Sequence, residues 1–181
     1  PPDKHPTPSG MHINLKIWEM QKPVIAAVRG YAFGQGHELA GMCDMTVASE
    51  DAVFGELQIR HSFGPPILVT PFLTGIKQAK EILMLGERIS AQDALRLGIV
   101  NRAVDPKELE AETMLLAKRF ASGPRITLGL MKKNLNTAER GDLVLSFDTE
   151  ALNHSRSAQT EDHKEAARAF VEKRAPVFKG R

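Results

Sequence analysis

Cysteine is almost missing from this sequence of 181 residues: Cys43 is the only one. An intrachain disulfide and a cysteine-rich metal site are both excluded, and a reducing compartment such as the cytoplasm is expected. Long apolar runs are missing too. Apolar runs such as those at residues 24–28 and 67–69 fall far short of a bilayer span, so no membrane partner is expected. The polar, proline-rich opening at residues 1–10 lacks the apolar stretch of a secretory signal, and position 1 is not Met, so a preceding segment is expected. Charge of one sign is scarce. The 24 basic and 22 acidic side chains leave a net +2, and the basic ones are scattered, which argues against a nucleic-acid partner. There is no internal repeat and no low-complexity tract.

What remains is the composition of an ordinary folded domain, with 42% apolar and 25% charged residues. A chain of this length buries roughly 70% of its unfolded surface, enough for a core without staples. Residues 11–20 alternate between helical and strand periodicities, and helix is the preferred reading. After Pro23, the β-branched run at residues 24–28 predicts a buried strand. Residues 30–36 form a loop with glycines at Gly30, Gly34 and Gly36, and a helix is expected over 37–43. Strands at 45–48 and 53–54 flank a turn at Ser49-Glu50-Asp51. Gly64-Pro65-Pro66 interrupts the chain ahead of two apolar helices at 67–73 and 76–85.

Ser90 and Asp93 stand as a helix start and Gly98 as its stop. A short strand at 99–104 leads to a helix from Asp105-Pro106 to about residue 121. Later helices are expected at 126–138, 143–157 and 161–173, the last with Thr160 as its N-cap. So few short strands cannot complete a sheet, and further strands are expected outside this sequence.

The order strand, glycine loop, helix allows anion binding, because a helix start offers unpaired amides and about half a positive charge. It equally allows plain turn chemistry. Two phosphate-binding patterns are excluded: the residue three beyond Gly36 is Leu39 rather than glycine, and no Gly-Lys-Ser/Thr is present.

The longer string is more specific. Lys22-Pro-Val-Ile-Ala-Ala-Val-Arg-Gly-Tyr-Ala-Phe-Gly-Gln-Gly-His-Glu-Leu-Ala is followed by Cys43-Asp44, Ala48-Ser49-Glu50 and Phe54-Gly55. Further on stand Gly86-Glu-Arg-Ile-Ser-Ala-Gln-Asp-Ala-Leu-Arg-Leu-Gly-Ile-Val-Asn and Ala169-Phe-Val-Glu-Lys-Arg. Together, from about Trp18 onward, they resemble the enoyl-CoA hydratase/isomerase (crotonase) superfamily.

That resemblance implies an α/β fold, a crotonase (ClpP-like) spiral of ββα units, incomplete at its N-terminal side. Residues 1–122 would be the later part of the spiral core. Residues 123–181 would be a helical oligomerisation region, in a homotrimer or a hexamer of two trimers. The substrate would be an acyl-CoA, with coenzyme A entering as part of it; no separate cofactor and no metal is expected. The family's first oxyanion-hole amide precedes the matched region.

The resemblance also assigns roles. Gln35, the middle residue of Gly34-Gln35-Gly36, would supply the second oxyanion-hole amide. Glu38 matches the first catalytic glutamate. Gln58 falls where hydratases carry a second glutamate in Phe-Gly-x-x-Glu, and an amide cannot exchange a proton at neutral pH. Substrate contacts would come from Ala32, Gly34, Leu57, Pro66 and Lys173, the last through the CoA nucleotide. Pro66 stands where the family has a glycine whose amide seats water, and proline has no N–H.

Glu56, two residues before Gln58 on a segment taken as extended, reads as a solvated or structural carboxylate lying about 7 Å along the chain. His61 reads as structural, and Tyr31 is expected to pack beneath the loop. The resemblance implies an enoyl-CoA hydratase-like lyase that works through an oxyanion-hole-stabilised enolate; the alternatives are another enolate reaction (isomerisation, hydrolysis or decarboxylation) and acyl-CoA binding without turnover.

Overall fold

The computed structural model describes residues 9–62, 65, 67–139, 141, 156 and 158–181. Two compact units are present: Pro1–Trp18 with Val24–Thr113, and Glu19–Pro23 with Met114–Arg181.

The first unit contains two three-stranded sheets. After helix α1 (Ser9–Glu19), strand β1 (Ile25–Val28) runs parallel to β3 (Met45–Ser49), which runs parallel to β6 (Arg102–Val104). In the second sheet β2 (Tyr31–Phe33) is parallel to β4 (Val53–Gly55), and β4 is antiparallel to β5 (Ile89–Ser90). Only Arg29 and Gly30 separate β1 from β2. Gly30 has φ +70° and its carbonyl accepts Val53 N–H at 2.8 Å, so the chain swings from one sheet into the other within a single turn. The next pass repeats the move. From β3, the turn closed by Ala52 N–H on Ser49 C=O (2.8 Å) leads into β4, laid against β2. Stacked strand pairs of this kind, with helix α2 (Gln35–Met42) leading from β2 back to β3, make the turns of a spiral.

Small side chains let these layers approach closely. The core cluster is largely alanine (Ala32, Ala48, Ala52, Ala91, Ala94), filled in by Phe54, Ile82, Ile89, Ile99 and Val100. Helices α3 (Thr70–Leu73), α4 (Ile76–Leu85) and α5 (Ala91–Arg96) belong to the same unit. Ser90 caps α5 as expected: its Oγ accepts Asp93 N–H at 3.1 Å and donates to Asp93 Oδ2 at 2.8 Å.

Helix α6 (Leu109–Ala121) follows β6. The second unit contains α7 (Arg125–Glu139) and α8 (Glu161–Val171). Thr160 caps α8 by accepting His163 N–H at 3.0 Å. The Asp162 carboxylate then receives the N–H groups of Lys179 and Gly180 at 2.6 and 2.8 Å.

The differences from the sequence expectations are local. Residues 31–33 form a strand rather than loop, because β4 offers them a parallel partner. Residues 89–90 pair with β4, and 67–73 shorten to α3. The helix expected at 143–157 falls almost wholly outside the described residues. Among the described residues no helix is long and apolar enough to cross a membrane.

Candidate active site

The chain leaves β2 at Phe33 and enters α2 two residues later. Gly34 makes that turn with φ 52° and ψ −118°, angles that a Cβ would strain. Its N–H donates to Gly55 C=O at 2.8 Å, and its C=O accepts Glu38 N–H at 2.9 Å. A Cβ at Gly34 would lie 3.1 Å from Gln58 Nε2. Glycine is therefore required both for the turn and for the approach of Gln58.

Since Gly34 C=O takes the first helical bond, the N–H groups of Gln35, Gly36 and His37 begin α2 without intrahelical acceptors. None of the three has another acceptor among the described residues. The Gln35 side chain is exposed, and Gln35 N–H sits at the positive end of the helix. Just upstream, Ala32 is buried in β2 opposite Phe54.

Further along α2 the side chains turn inward. His37 and Glu38 are 1% and 0% exposed. They meet the segment that follows β4, which is not extended: Leu57 has φ −88° and ψ 3°, and a short 3-10 helix begins at Gln58 (Gln58–His61). This curl replaces the extended spacing expected between Glu56 and Gln58, and of the two positions expected for Glu56, solvated or structural, it excludes the solvated one. Glu56 is 1% exposed, Gln58 is buried as well, and both turn toward α2. Gln58 Nε2 donates to Glu38 Oε1 at 3.4 Å. Glu56 Oε1 accepts from Thr70 Oγ1 at 3.4 Å, and Thr70 Oγ1 lies 3.4 Å from His37 Nε2.

Polar atoms in this cluster are under-satisfied. Glu38 Oε2, Glu56 Oε2, Gln58 Oε1 and His37 Nδ1 are buried without a hydrogen-bond partner; among the described residues only Asn14 Nδ2 shares that condition. Buried polar groups are ordinarily bonded, so this concentration of exceptions makes the cluster a candidate site.

Burial dominates the electrostatics. It raises the Glu38 carboxyl above its usual range, with the Ile67 N–H pulling the other way. It raises Glu56 to about 7; the Glu38 charge adds to the rise, while Gln58 and the Thr70 hydroxyl oppose it. His37 is lowered to about 4, again by burial, so its imidazole is neutral at pH 7. The 4.0 Å contact between His37 Nε2 and Glu56 Oε1 is accordingly not an ion pair. His37 packs edge-on to Phe54, with ring centroids 6.2 Å apart.

Gln35, Glu38, Gln58 and Gly34 are thus brought together, with Leu57 half-buried beside Gly55. Pro66 lies outside the described residues. Lys173 belongs to the second unit, exposed just past α8 with φ 54°. His61 is exposed at the end of the 3-10 helix. Tyr31 is 71% exposed, not packed beneath the loop; its ring rests against Phe33 at 5.2 Å. The sequence reading missed His37 and Thr70 altogether, since neither belongs to a recognisable spacing. Among the described residues no group of His, Cys, Asp or Glu is arranged to hold a metal.

Comparison with known proteins agrees with this architecture. The family model "Enoyl-CoA hydratase/isomerase" matches residues 3–181. The short-chain-enoyl-CoA hydratase of Clostridium acetobutylicum is 37% identical over 170 residues, which cover 91% of this chain and 64% of that protein. The crotonyl-CoA hydratase of Syntrophomonas wolfei is 36% identical over 172 residues, covering 93% and 66%. This chain therefore spans just under two thirds of the length of these two relatives. The crystal structure of an enoyl-CoA hydratase from Bacillus anthracis superposes with a TM-score of 0.92 at 32% identity, covering 95% of this chain and 68% of that one. On its sequence and its crotonase fold alike, the chain belongs to the enoyl-CoA hydratase/isomerase family.

Proposed function

We propose that this chain carries the proton-transfer half of an enoyl-CoA hydratase-like site, acting on an acyl-CoA thioester through an enolate. One observation carries the reading. Gln35 N–H, without an acceptor among the described residues, opens the helix whose first turn also presents Glu38, a buried carboxyl with one oxygen unpartnered among those residues.

In this reading the thioester oxygen of a 2-enoyl-CoA accepts from Gln35 N–H. Glu38 takes a proton from water as its oxygen adds to C3, and returns that proton to C2. No atoms beyond one water are consumed. An amide aimed at a developing oxyanion is typically worth ~10²–10³ in rate, and a positioned acid–base ~10²–10⁴. Gln58 holds one Glu38 oxygen, leaving the other for the substrate. Coenzyme A belongs to the substrate, and no metal or separate cofactor takes part. Ala32, Leu57 and Pro66 would line the acyl group, and Lys173 would meet the CoA nucleotide. Residues 123–181 would serve a homotrimer or a hexamer, and the single cysteine suits the cytoplasm.

Gln58 favours a second reading. With an amide where a second carboxylate would work, a reaction needing one proton carrier, such as 2-enoyl to 3-enoyl isomerisation, is served equally well. Incubating the full-length protein with a short 2-enoyl-CoA and with its 3-enoyl isomer separates the two. Hydration with a loss of at least ~10²-fold in Glu38→Gln supports the first. Isomer turnover without hydration replaces it by the second. Turnover undiminished in Glu38→Gln rejects Glu38 as proton carrier, and no turnover in either protein leaves acyl-CoA binding alone.

A further inference from the structure

Glu56 plays no part in the chemistry above, yet it is a buried carboxyl that feels the Glu38 charge and shares Gln58 with it. We infer that Glu56 is a positioning residue that stays protonated while Glu38 is ionised, so that the Glu38–Gln58–Glu56 cluster holds a single negative charge. The inference rests on the proposed role of Glu38 and adds the device that sets its charge.

The geometry leaves little choice. The groups facing Glu56 are Glu38 and His37 from α2, Gln58 from the 3-10 helix and Thr70 from α3. None is a cation at neutral pH: two are neutral by nature, His37 is neutral by burial, and Glu38 is itself acidic. Two buried carboxyls without a counter-charge cannot both ionise cheaply. Glu38 is the better place for the charge, because it sits in the first turn of α2 and is approached by Ile67 N–H. Glu56 has only the Gln58 amide and the Thr70 hydroxyl, and takes the proton. The carboxyl value near 7 agrees with this order.

Two consequences follow for the site. An ionised Glu56 would compete with Glu38 for the amide hydrogens of Gln58, loosening the hold on the working carboxyl. It would also add a second negative charge to a buried cluster that already carries the Glu38 charge. Activity should therefore fall as pH rises through about 7, by about tenfold per pH unit, the signature of one essential proton.

The test is kcat/KM for a short 2-enoyl-CoA, from about pH 5.5 to 9, in the full-length protein and in Glu56→Gln. The expected result is an alkaline limb in the parent that is absent from the variant, whatever the height of the plateau. An identical limb in both overturns the inference. A measurement independent of turnover is the carbonyl stretch of a buried protonated carboxyl in pH-difference infrared spectra. A band assigned to Glu56 by isotope editing should be present at about pH 6 and lost by about pH 8.5. Its absence at the lower pH overturns the inference even in a protein that turns over nothing. Its presence in such a protein upholds the proton on Glu56 while the acyl-CoA reading fails.

Discussion

Replacing Glu56 by glutamine should change how the stability of the protein depends on pH, and by an amount the structure sets. The folded carboxyl is raised from 4.5 to about 7, so the folded state keeps a proton that the unfolded chain has released. Such a group favours folding fully below its unfolded value, and that contribution is lost as pH rises through the folded value. The loss amounts to about 3 kcal/mol.

His37 acts in the opposite direction. Its folded value is lowered from 6.5 to about 4, so it favours folding above 6.5 and loses that contribution, again about 3 kcal/mol, as pH falls toward 4. Between about pH 4.5 and 6.5 the two slopes cancel, and the parent's stability should be nearly flat on their account. Glu56→Gln removes one slope and leaves the other, so the variant should gain on the parent steadily across that window and level off above about 7. Glu38 is common to both proteins and drops out to first order.

Urea unfolding at fixed protein concentration reads this directly. With a slope of ~2 kcal/mol per molar, the midpoint difference between variant and parent should widen by about 1–2 M from pH 4.5 to 7.5. Parallel stability curves for the two proteins would refute the assignment of a buried, protonated Glu56.

Thr70→Val removes a hydroxyl that holds Glu56 down, so the alkaline limb of the kcat/KM profile should move to higher pH in that variant. Gly34→Ala puts a Cβ at φ 52° and 3.1 Å from Gln58 Nε2; thermal unfolding should register a loss of ~1–3 kcal/mol, and kcat should fall as Gln58 shifts. Gln58→Glu adds a third carboxyl to a cluster without a cation, so its melting temperature should drop more at pH 8 than at pH 5. Ser90→Ala deletes the cap of α5 and should cost ~1 kcal/mol in urea titrations without changing the pH profile.

Much of this was readable from residue order. The β-branched run after Pro23 forms β1, Ser90 and Thr160 cap helices as their spacing requires, and the glycine turn opens α2. The proximity of Gly34, Glu38 and Gln58 followed from a resemblance, not from periodicity. What escaped has a common cause. Strand β2 has three residues and β5 two, too short for an alternation to register, and each exists because β4 lies alongside. The curl at Leu57 carries no proline or glycine to announce it, so the distance between Glu56 and Gln58 was measured along an extended chain that does not exist. His37 and Thr70 are 33 residues apart and meet only through the packing of α2 and α3.

In the proposed reading one short helix would supply both an anion grip and a proton carrier: Gln35 N–H and Glu38 stand one turn apart on α2, locked together by backbone geometry. The amide and acid that would regulate that carrier arrive on a separate curl, residues 56–58, tied to α2 by side chains among the described residues. Substitutions at Glu56 or Leu57 would then act on the carrier from this curl, whereas Gln58 also comes so close to Gly34 that a Cβ there would lie 3.1 Å from its Nε2, and so bears on the turn that presents Gln35 N–H. Control of the proton and support of the oxyanion would thereby lie on different pieces of chain, coupled where Gln58 meets Gly34.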